Sequence, residues 1–320
     1  MPSRRFFMGA SGALAGLAAA PLLGSLTGCE STPTRATATG RSSVRASALP
    51  VQTLSPGVQL ITGTPGNVIA LSSSEGLWLV DSGSAENAAS VQASLAGARV
   101  RTLFNTHHHS DQTGGNELFG SSGAIIHAHE ITREWLATDY YVPAEDRWVK
   151  ALSNTGVPTV TFRGRGETKA GTQRIEFGYL LEAHTRGDIY VYLRDADVLC
   201  VGDVASPLRD PVLDWYAGGW LGARVDSMDL LLRLAHEDTR IVPAYGPVMR
   251  RADLQAERDM MLRIFDQTSE LLMTGRSAQD MLDAGVMNNV SRKFHDPYRF
   301  LYDVSKGLWA HYTNFGGRSV

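Results

Sequence analysis

An α+β fold ending in a helical C-terminal region is what the 320-residue sequence predicts, and three observations carry that prediction. Short runs of β-branched and apolar residues bounded by Gly and Ser turns fill residues 58–104, and a second series fills 159–201 and 239–243. Helical spacing dominates from residue 251 onward. The third observation is the stretch 105–116, Asn-Thr-His-His-His-Ser-Asp-Gln-Thr-Gly-Gly-Asn, directly after the apolar run Val100–Phe104. It falls in a loop at the C-terminal end of a buried strand, where a rigid sheet holds reacting groups in place.

The elements follow in order. Residues 1–28 form a targeting segment: Ser3-Arg4-Arg5-Phe6-Phe7 is a twin-arginine pair, followed by an uncharged Ala/Gly/Leu stretch to Leu26. The alternative is a plain membrane anchor, since the run approaches the roughly 20 residues that span a bilayer. Its Gly and Ala content argues for a cleaved signal. Leu26-Thr27-Gly28-Cys29 resembles a bacterial lipobox, which implies an exported lipoprotein held on the periplasmic side of a membrane through a lipid on Cys29. Glu30, rather than Asp, after that cysteine favours the outer membrane. Residues 29–50 have almost no large apolar side chain and read as a flexible tether.

Residues 58–61, 67–71 and 77–80 read as three strands, 86–95 as a helix and Val100–Phe104 as the strand feeding the histidines. Residues 124–127 then suggest a strand and 130–137 a helix, with His127 and His129 structural or on the surface. Residues 139–156 have no clear period and carry Tyr140, Tyr141, Trp148 and Lys150; they either line a cleft or pack the loop down. Further strands are expected at 159–162, 173–177, 179–183, 189–193 and 198–201. The Gly/Trp-rich run 214–223 suggests a cleft wall, 224–235 a helix and 239–243 the last strand. Residues 51–250 thus form one domain, and 251–320 a helical extension packed on it, with helices at 254–272 and 277–284. A final helix is capped by Asp296-Pro297. Its stripe of Phe300, Leu301, Val304, Leu308, Trp309 and Tyr312 packs on the sheets, with a lid or dimer surface as the alternative.

A hydrophobic content of 43% is ample for a core, and a formal charge of −3 without a basic patch argues against nucleic acid as a partner. Of the two cysteines, Cys29 is assigned to the lipid and Cys200 reads as a small buried residue, leaving no internal disulfide. In an extended chain residues two apart share a side, so His107 and His109 aim at one point, His108 faces elsewhere, and Asp111 continues the alternation. Adjacent histidines followed by Asp and a Thr-Gly-Gly turn point to a metal site.

The run resembles the His-x-His-x-Asp-His signature of the metallo-β-lactamase superfamily, with His107, His109 and Asp111 in place and Gln112 where the last His belongs. His184-Thr185-Arg186-Gly187 and Gly202-Asp203 match two further motifs, whereas Pro243-Ala244-Tyr245-Gly246-Pro247 puts Tyr where the final His belongs. Asp81-Ser82-Gly83 resembles the family's Asp-x-Gly, in which Asp81 supports the metal loop; an ordinary turn aspartate is the alternative. The likeness runs from about residue 55 to 250 and implies an αββα sandwich with the metal where strand ends converge.

By that resemblance His107, His109 and His184 bind Zn²⁺ and leave a position for water, whose pKa falls to about 7. The second site would use Asp111, Gln112, Asp203 as a bridge, and Tyr245. An amide oxygen and a phenol of ordinary pKa about 10 are poor replacements for imidazoles, so one zinc is expected to be tight and a second weak or absent. Asp111 would orient or deprotonate the water; Tyr245 would either donate a hydrogen bond to an oxyanion or fill the space of the missing His. The expected activity is zinc-dependent hydrolysis of an ester, lactone, amide or β-lactam-like bond of a small molecule. The alternatives are a mononuclear iron oxygenase resembling persulfide dioxygenases, using His107, His184 and Asp203, or an inactive binding protein. Oligomeric state is left open.

Overall fold

Strand sequences that are apolar at every position, such as IYVYL at 189–193 and VLCVG at 198–202, need cover on both faces, and the fold supplies it. The computed structural model describes residues 46–142 and 146–316, with side chains to residue 313. The twin-arginine pair, Cys29 and most of the expected tether lie outside the described residues. Among the described residues no helix is long and apolar enough to cross a membrane.

The first sheet begins with β1 (Val51–Ser55), β2 (Val58–Ile61), β3 (Val68–Ser73) and β4 (Gly76–Val80), paired antiparallel in sequence. Helix α1 (Ala88–Ser94) crosses to β5 (Val100–Phe104). Two short helices, α2 (Ser110–Thr113) and α3 (Asn116–Ser121), lead to β6 (Ile125–His129). Helix α4 (Glu130–Leu136) and a hairpin of β7 (Tyr140–Val142) and β8 (Arg147–Val149) precede β9 (Val160–Phe162), which closes the sheet. Pairs β4/β5, β5/β6 and β6/β9 are parallel, so the loops after β4 and β5 emerge at one edge.

The second sheet runs β10 (Gly166–Ala170), β11 (Gln173–Tyr179), β12 (Ile189–Leu193), β13 (Val198–Gly202) and β14 (Arg240–Pro243), with α5 (Leu221–Leu234) between the last two. Pair β13/β14 is parallel and places the residues after both strands side by side. Helices α6 (Arg251–Met273), α7 (Ala278–Asp283) and α8 (Pro297–Gly316) follow.

The period of two sorts the side chains into layers. Ile69, Leu71, Val80 and Phe104 meet Ile175, Val191, Val198, Cys200 and Val242 between the sheets. Their neighbours Val68, Ala70, Leu79 and Leu103 face outward onto Val91 and Phe119. On the other side Tyr190, Tyr192, Leu199 and Ile241 face Met228 and Leu231 of α5, Leu254 and Ile264 of α6, and Leu301, Val304 and Leu308 of α8. At about 1.5–3 kcal/mol for each fully buried aliphatic or aromatic side chain, these three layers supply most of the cohesion. The result is the expected αββα sandwich with its helical extension.

Three expectations change. The stretch 179–183 is not a strand: β11 runs unbroken through Gly178, where a Cβ would sit 2.6 Å from the Tyr190 ring, and residues 180–188 form a loop. Strands β1, β7, β8 and β10 were not anticipated, because they lie at a sheet edge or in a two-stranded ribbon and carry polar residues. The stripe on α8 is only partly buried, with Trp309 60% and Tyr312 43% exposed.

Candidate metal centre

His107, His108 and His109 follow β5 in a bending loop, in which His109, itself extended (φ −63°, ψ 144°), is the cap of α2. His107 and His109 share one centre, while the His108 ring stacks on Trp135 at 4.8 Å and its Nε2 lies 4.0 Å from Asp214 Oδ2. Asp111 does not continue the expected alternation, since the chain has already turned helical at Ser110. His184 comes from the 180–188 loop rather than from a strand end, and Asp203 directly follows β13. Ile189 N–H donates to Thr106 O at 2.9 Å, tying the two ligand-bearing edges together.

The rings of His107, His109 and His184 are mutually perpendicular and evenly spaced, with centroids 4.9, 4.7 and 4.8 Å apart and interplanar angles of 83°, 87° and 84°. Each ring is held through the nitrogen that faces away from the centre. His107 Nδ1 lies 3.1 Å from Thr106 Oγ1, whose own hydroxyl donates to Asp81 at 2.8 Å. His109 Nε2 lies 2.9 Å from Asp214 Oδ2, and His184 Nδ1 2.8 Å from the Val212 carbonyl. These acceptors fix the tautomers and turn the lone pairs of His107 Nε2, His109 Nδ1 and His184 Nε2 inward.

His184 Nε2 and His109 Nδ1 are 3.1 Å apart, and Asp203 Oδ2 is 3.8 Å from His107 Nε2 and 3.6 Å from His184 Nε2. Nitrogens bound to zinc at 2.0–2.1 Å in a tetrahedron are about 3.3 Å apart, so the set is close to coordination spacing. Buried His107 Nε2 has no hydrogen-bond partner among the described residues, an omission that a cation would repair. The four residues therefore fit a metal ion. Burial, reinforced by neighbouring imidazoles, pushes the pKa values of His107 and His184 well down and keeps them neutral, as metal ligands must be. For His109 burial acts the same way, but the Asp214 bond and the surrounding carboxylates prevail and raise its pKa.

Supporting carboxylates brace the loops. Asp81 accepts from both the backbone N–H and the hydroxyl of Thr106, and burial pushes its pKa up to about 8. Asp81 is thus a brace for the histidine loop and not merely a turn residue. Asp188 accepts from the backbone N–H groups of His184 and Thr185 and from the Thr185 hydroxyl; burial raises it to about 7. Gly219 packs against the His184 carbonyl so closely that a Cβ would sit 2.0 Å from that oxygen.

The remaining expected residues are partly assembled. Asp111 lies outside the four-residue group and accepts a hydrogen bond from the Tyr245 hydroxyl; burial, then the Asp203 charge, raises its pKa. Gln112 is fully buried against Gly66, with neither amide atom hydrogen-bonded among the described residues. His129 caps α4 and stacks on Tyr179, and His127 lies against Phe104, so both are structural. Asp214 and Arg209 were not anticipated: they sit in a loop with no spacing relation to the histidines. Arg209 donates to Asp203 at 2.5 Å and lies 3.4 Å over the Tyr245 ring.

Beside the centre is a cleft of about 720 Å³ walled by Trp135, Tyr140, Trp215, Tyr216 and Trp220, with Glu134, Glu182 and Arg186 as its charged groups. The imidazoles do not line it, but Trp135 backs His108 and Asp214 adjoins Trp215. Helix α8 supplies part of the wall: His311 stacks on Trp220 at 3.7 Å and Asp303 accepts from Trp215 Nε1. The 139–156 stretch contributes Tyr140, while its Trp148 is 63% exposed.

A model of the metallo-beta-lactamase superfamily matches residues 61–246, a span that contains every residue of the centre. Among curated proteins none matches the chain. Solved structures of similar fold include a metallo-beta-lactamase from Pontibacter korlensis, 22% identical with a TM-score of 0.56, covering 67% of this chain and 99% of that one. The stereoselective inverting sec-alkylsulfatase Pisa1 from Pseudomonas sp. is 18% identical with a TM-score of 0.60, covering 83% of this chain and 50% of that one. The DIM-1 metallo-beta-lactamase is 17% identical with a TM-score of 0.53, covering 67% and 97%. At these identities the structural likeness is one of fold, but the family model covers more than half of the sequence. The chain belongs to the metallo-beta-lactamase superfamily.

Proposed function

We propose that this protein is a zinc-dependent hydrolase that cleaves an ester, lactone, amide or β-lactam-like bond of a small molecule. The observation that carries the proposal is the set of three perpendicular imidazoles, each held from behind and each turning one lone pair to a shared centre. Zinc held there would supply Lewis acidity, activating water at neutral pH and polarising the bond to be cleaved. Asp203 completes the group from the second sheet. Asp111 is the proton acceptor for the attacking water, and the Tyr245 hydroxyl holds its carboxylate in place. An iron oxygenase built on His107, His184 and Asp203 would leave His109 outside the ligand set; its Nδ1, 3.1 Å from His184 Nε2, favours the three-imidazole arrangement.

The aromatic cleft favours a substrate with a ring or an extended apolar group. Elemental analysis of protein purified without chelator, paired with a chromogenic panel of aryl esters, lactones, β-lactams and secondary alkyl sulfates, tests the proposal. The expected result is zinc with chelator-sensitive hydrolysis of at least one class; full metal content with no hydrolysis points to a binding protein, and iron to the oxygenase. Tyr245→Phe is expected to lower kcat about tenfold to a hundredfold at unchanged metal content, because Asp111 loses its anchor. An unaltered kcat would reduce Tyr245 to filling space. The same proposal places the protein outside the cytoplasm, anchored through Cys29, supported by Arg4-Arg5 and by Leu26-Thr27-Gly28-Cys29. Intact mass of the membrane-bound form checks it: an unlipidated N-terminus rejects the anchor.

A further inference from the structure

We propose that the Arg209 guanidinium is the resident second cation of this centre, occupying the ground between Asp203, Asp111 and Tyr245 that a second metal ion would need. The inference rests on the proposed zinc centre of the preceding section and on the expectation that one ion there is tight and a second weak or absent.

Three observations support it. Asp203 Oδ2 accepts from Arg209 at 2.5 Å, and this same oxygen faces His107 Nε2 and His184 Nε2 at 3.8 and 3.6 Å. One carboxylate oxygen thus stands between the imidazole centre and the guanidinium, the position of a bridge between two cations. The guanidinium carbon lies 3.4 Å over the Tyr245 ring, and the hydroxyl of that ring donates to Asp111. Asp203 Oδ2, one oxygen of Asp111 and the Tyr245 phenol are therefore engaged with one another or with a fixed positive charge, while Asp203 Oδ1 has no hydrogen-bond partner among the described residues.

A guanidinium already paired with Asp203 also puts a fixed positive charge where a second cation would be repelled. Arginine suits the task because its planar, permanently charged head can stack on a ring and pair with a carboxylate at once, which a lysine ammonium does not do. Arg209 Nε is buried and has no hydrogen-bond partner among the described residues.

Titration of the metal-free full chain with Co²⁺ or Zn²⁺, followed by absorption and by competition with a chromophoric chelator, tests the proposal without recourse to activity. Wild-type protein is expected to saturate at one equivalent and to take up no second ion up to a large excess. Arg209→Met, which removes the charge at similar length, is expected to gain a second class of site at least about tenfold tighter than any in the wild type, whereas Arg209→Lys should gain less. Two tight equivalents in the wild type overturn the inference and leave the hydrolase proposal standing. So does an Arg209→Met protein that still binds a single ion. Should Arg209→Met fail to fold, Arg209→Gln, also uncharged, reads the same change: a second class of site supports the inference, and a single ion overturns it. A wild-type chain with no affinity for either metal overturns the metal centre and this inference together.

Discussion

Replacing His184 with Ala is expected to lower zinc affinity by about 10²–10³-fold and to abolish chelator-sensitive hydrolysis. Structural zinc sites bind with about 10–16 kcal/mol spread over four ligands, so one imidazole is worth about 3–4 kcal/mol. The fold should survive, because the backbone N–H groups of residues 184 and 185 still donate to Asp188 and the loop keeps its brace. The cost is a small cavity, with the Val212 carbonyl keeping only Arg224 Nη1 as donor, at 3.2 Å. Metal content after dialysis, with circular dichroism as the folding control, reads the result. A folded His184→Ala protein that retains a full equivalent of zinc would show that the ion does not sit among the three imidazoles.

Asp214→Asn is the second large effect, and it acts on a residue outside the His107, His109, His184 and Asp203 group. The substituted side chain can still accept from the Ala217 N–H, which holds it in the same rotamer. Its NH₂ group then points at His109 Nε2 in place of the carboxylate oxygen, 2.9 Å away in the native chain. A donor there forces His109 to carry its proton on Nδ1, the nitrogen turned toward the centre, and so removes one lone pair from the ligand set. Loss of such supporting contacts costs about 10–100-fold in metal affinity, and Asn should be at least as damaging as Ala because it selects the wrong tautomer. Histidine ¹⁵N shifts report the tautomer directly; unchanged shifts with unchanged affinity would reject this role for Asp214.

His109 links the two predictions. It is the most exposed of the three imidazoles, its side chain 25% accessible, and Asp214 beside it is 21% accessible, so the centre meets solvent on this side. The aromatic cleft opens from the same loop, with Trp215, Tyr216 and Trp220 following Asp214 in the chain. Changes at Asp214 therefore act on the metal and on the cleft wall together. Ala217 N–H, which Asp214 holds, belongs to a residue whose carbonyl in turn accepts from Arg186.

The local sequence determined what depends on short-range period. Runs apolar at every position named the central strands, alternation aimed His107 and His109 together, and the ordered motifs marked His184 and Asp203 as further members. Edge strands such as GETKA at 166–170 escaped because they are half solvent-facing, and the break expected at Gly178 was removed by a ring from the next strand. Only the tertiary structure decided which loops meet. Parallel pairing of β13 and β14 brings Tyr245 beside Asp203 and Arg209, and the crossing from residue 203 to α5 carries Asp214 to His109, 105 positions away in sequence. Periodicity is written within a few residues, whereas these contacts are set by strand order and loop path, which depend on how whole faces pack.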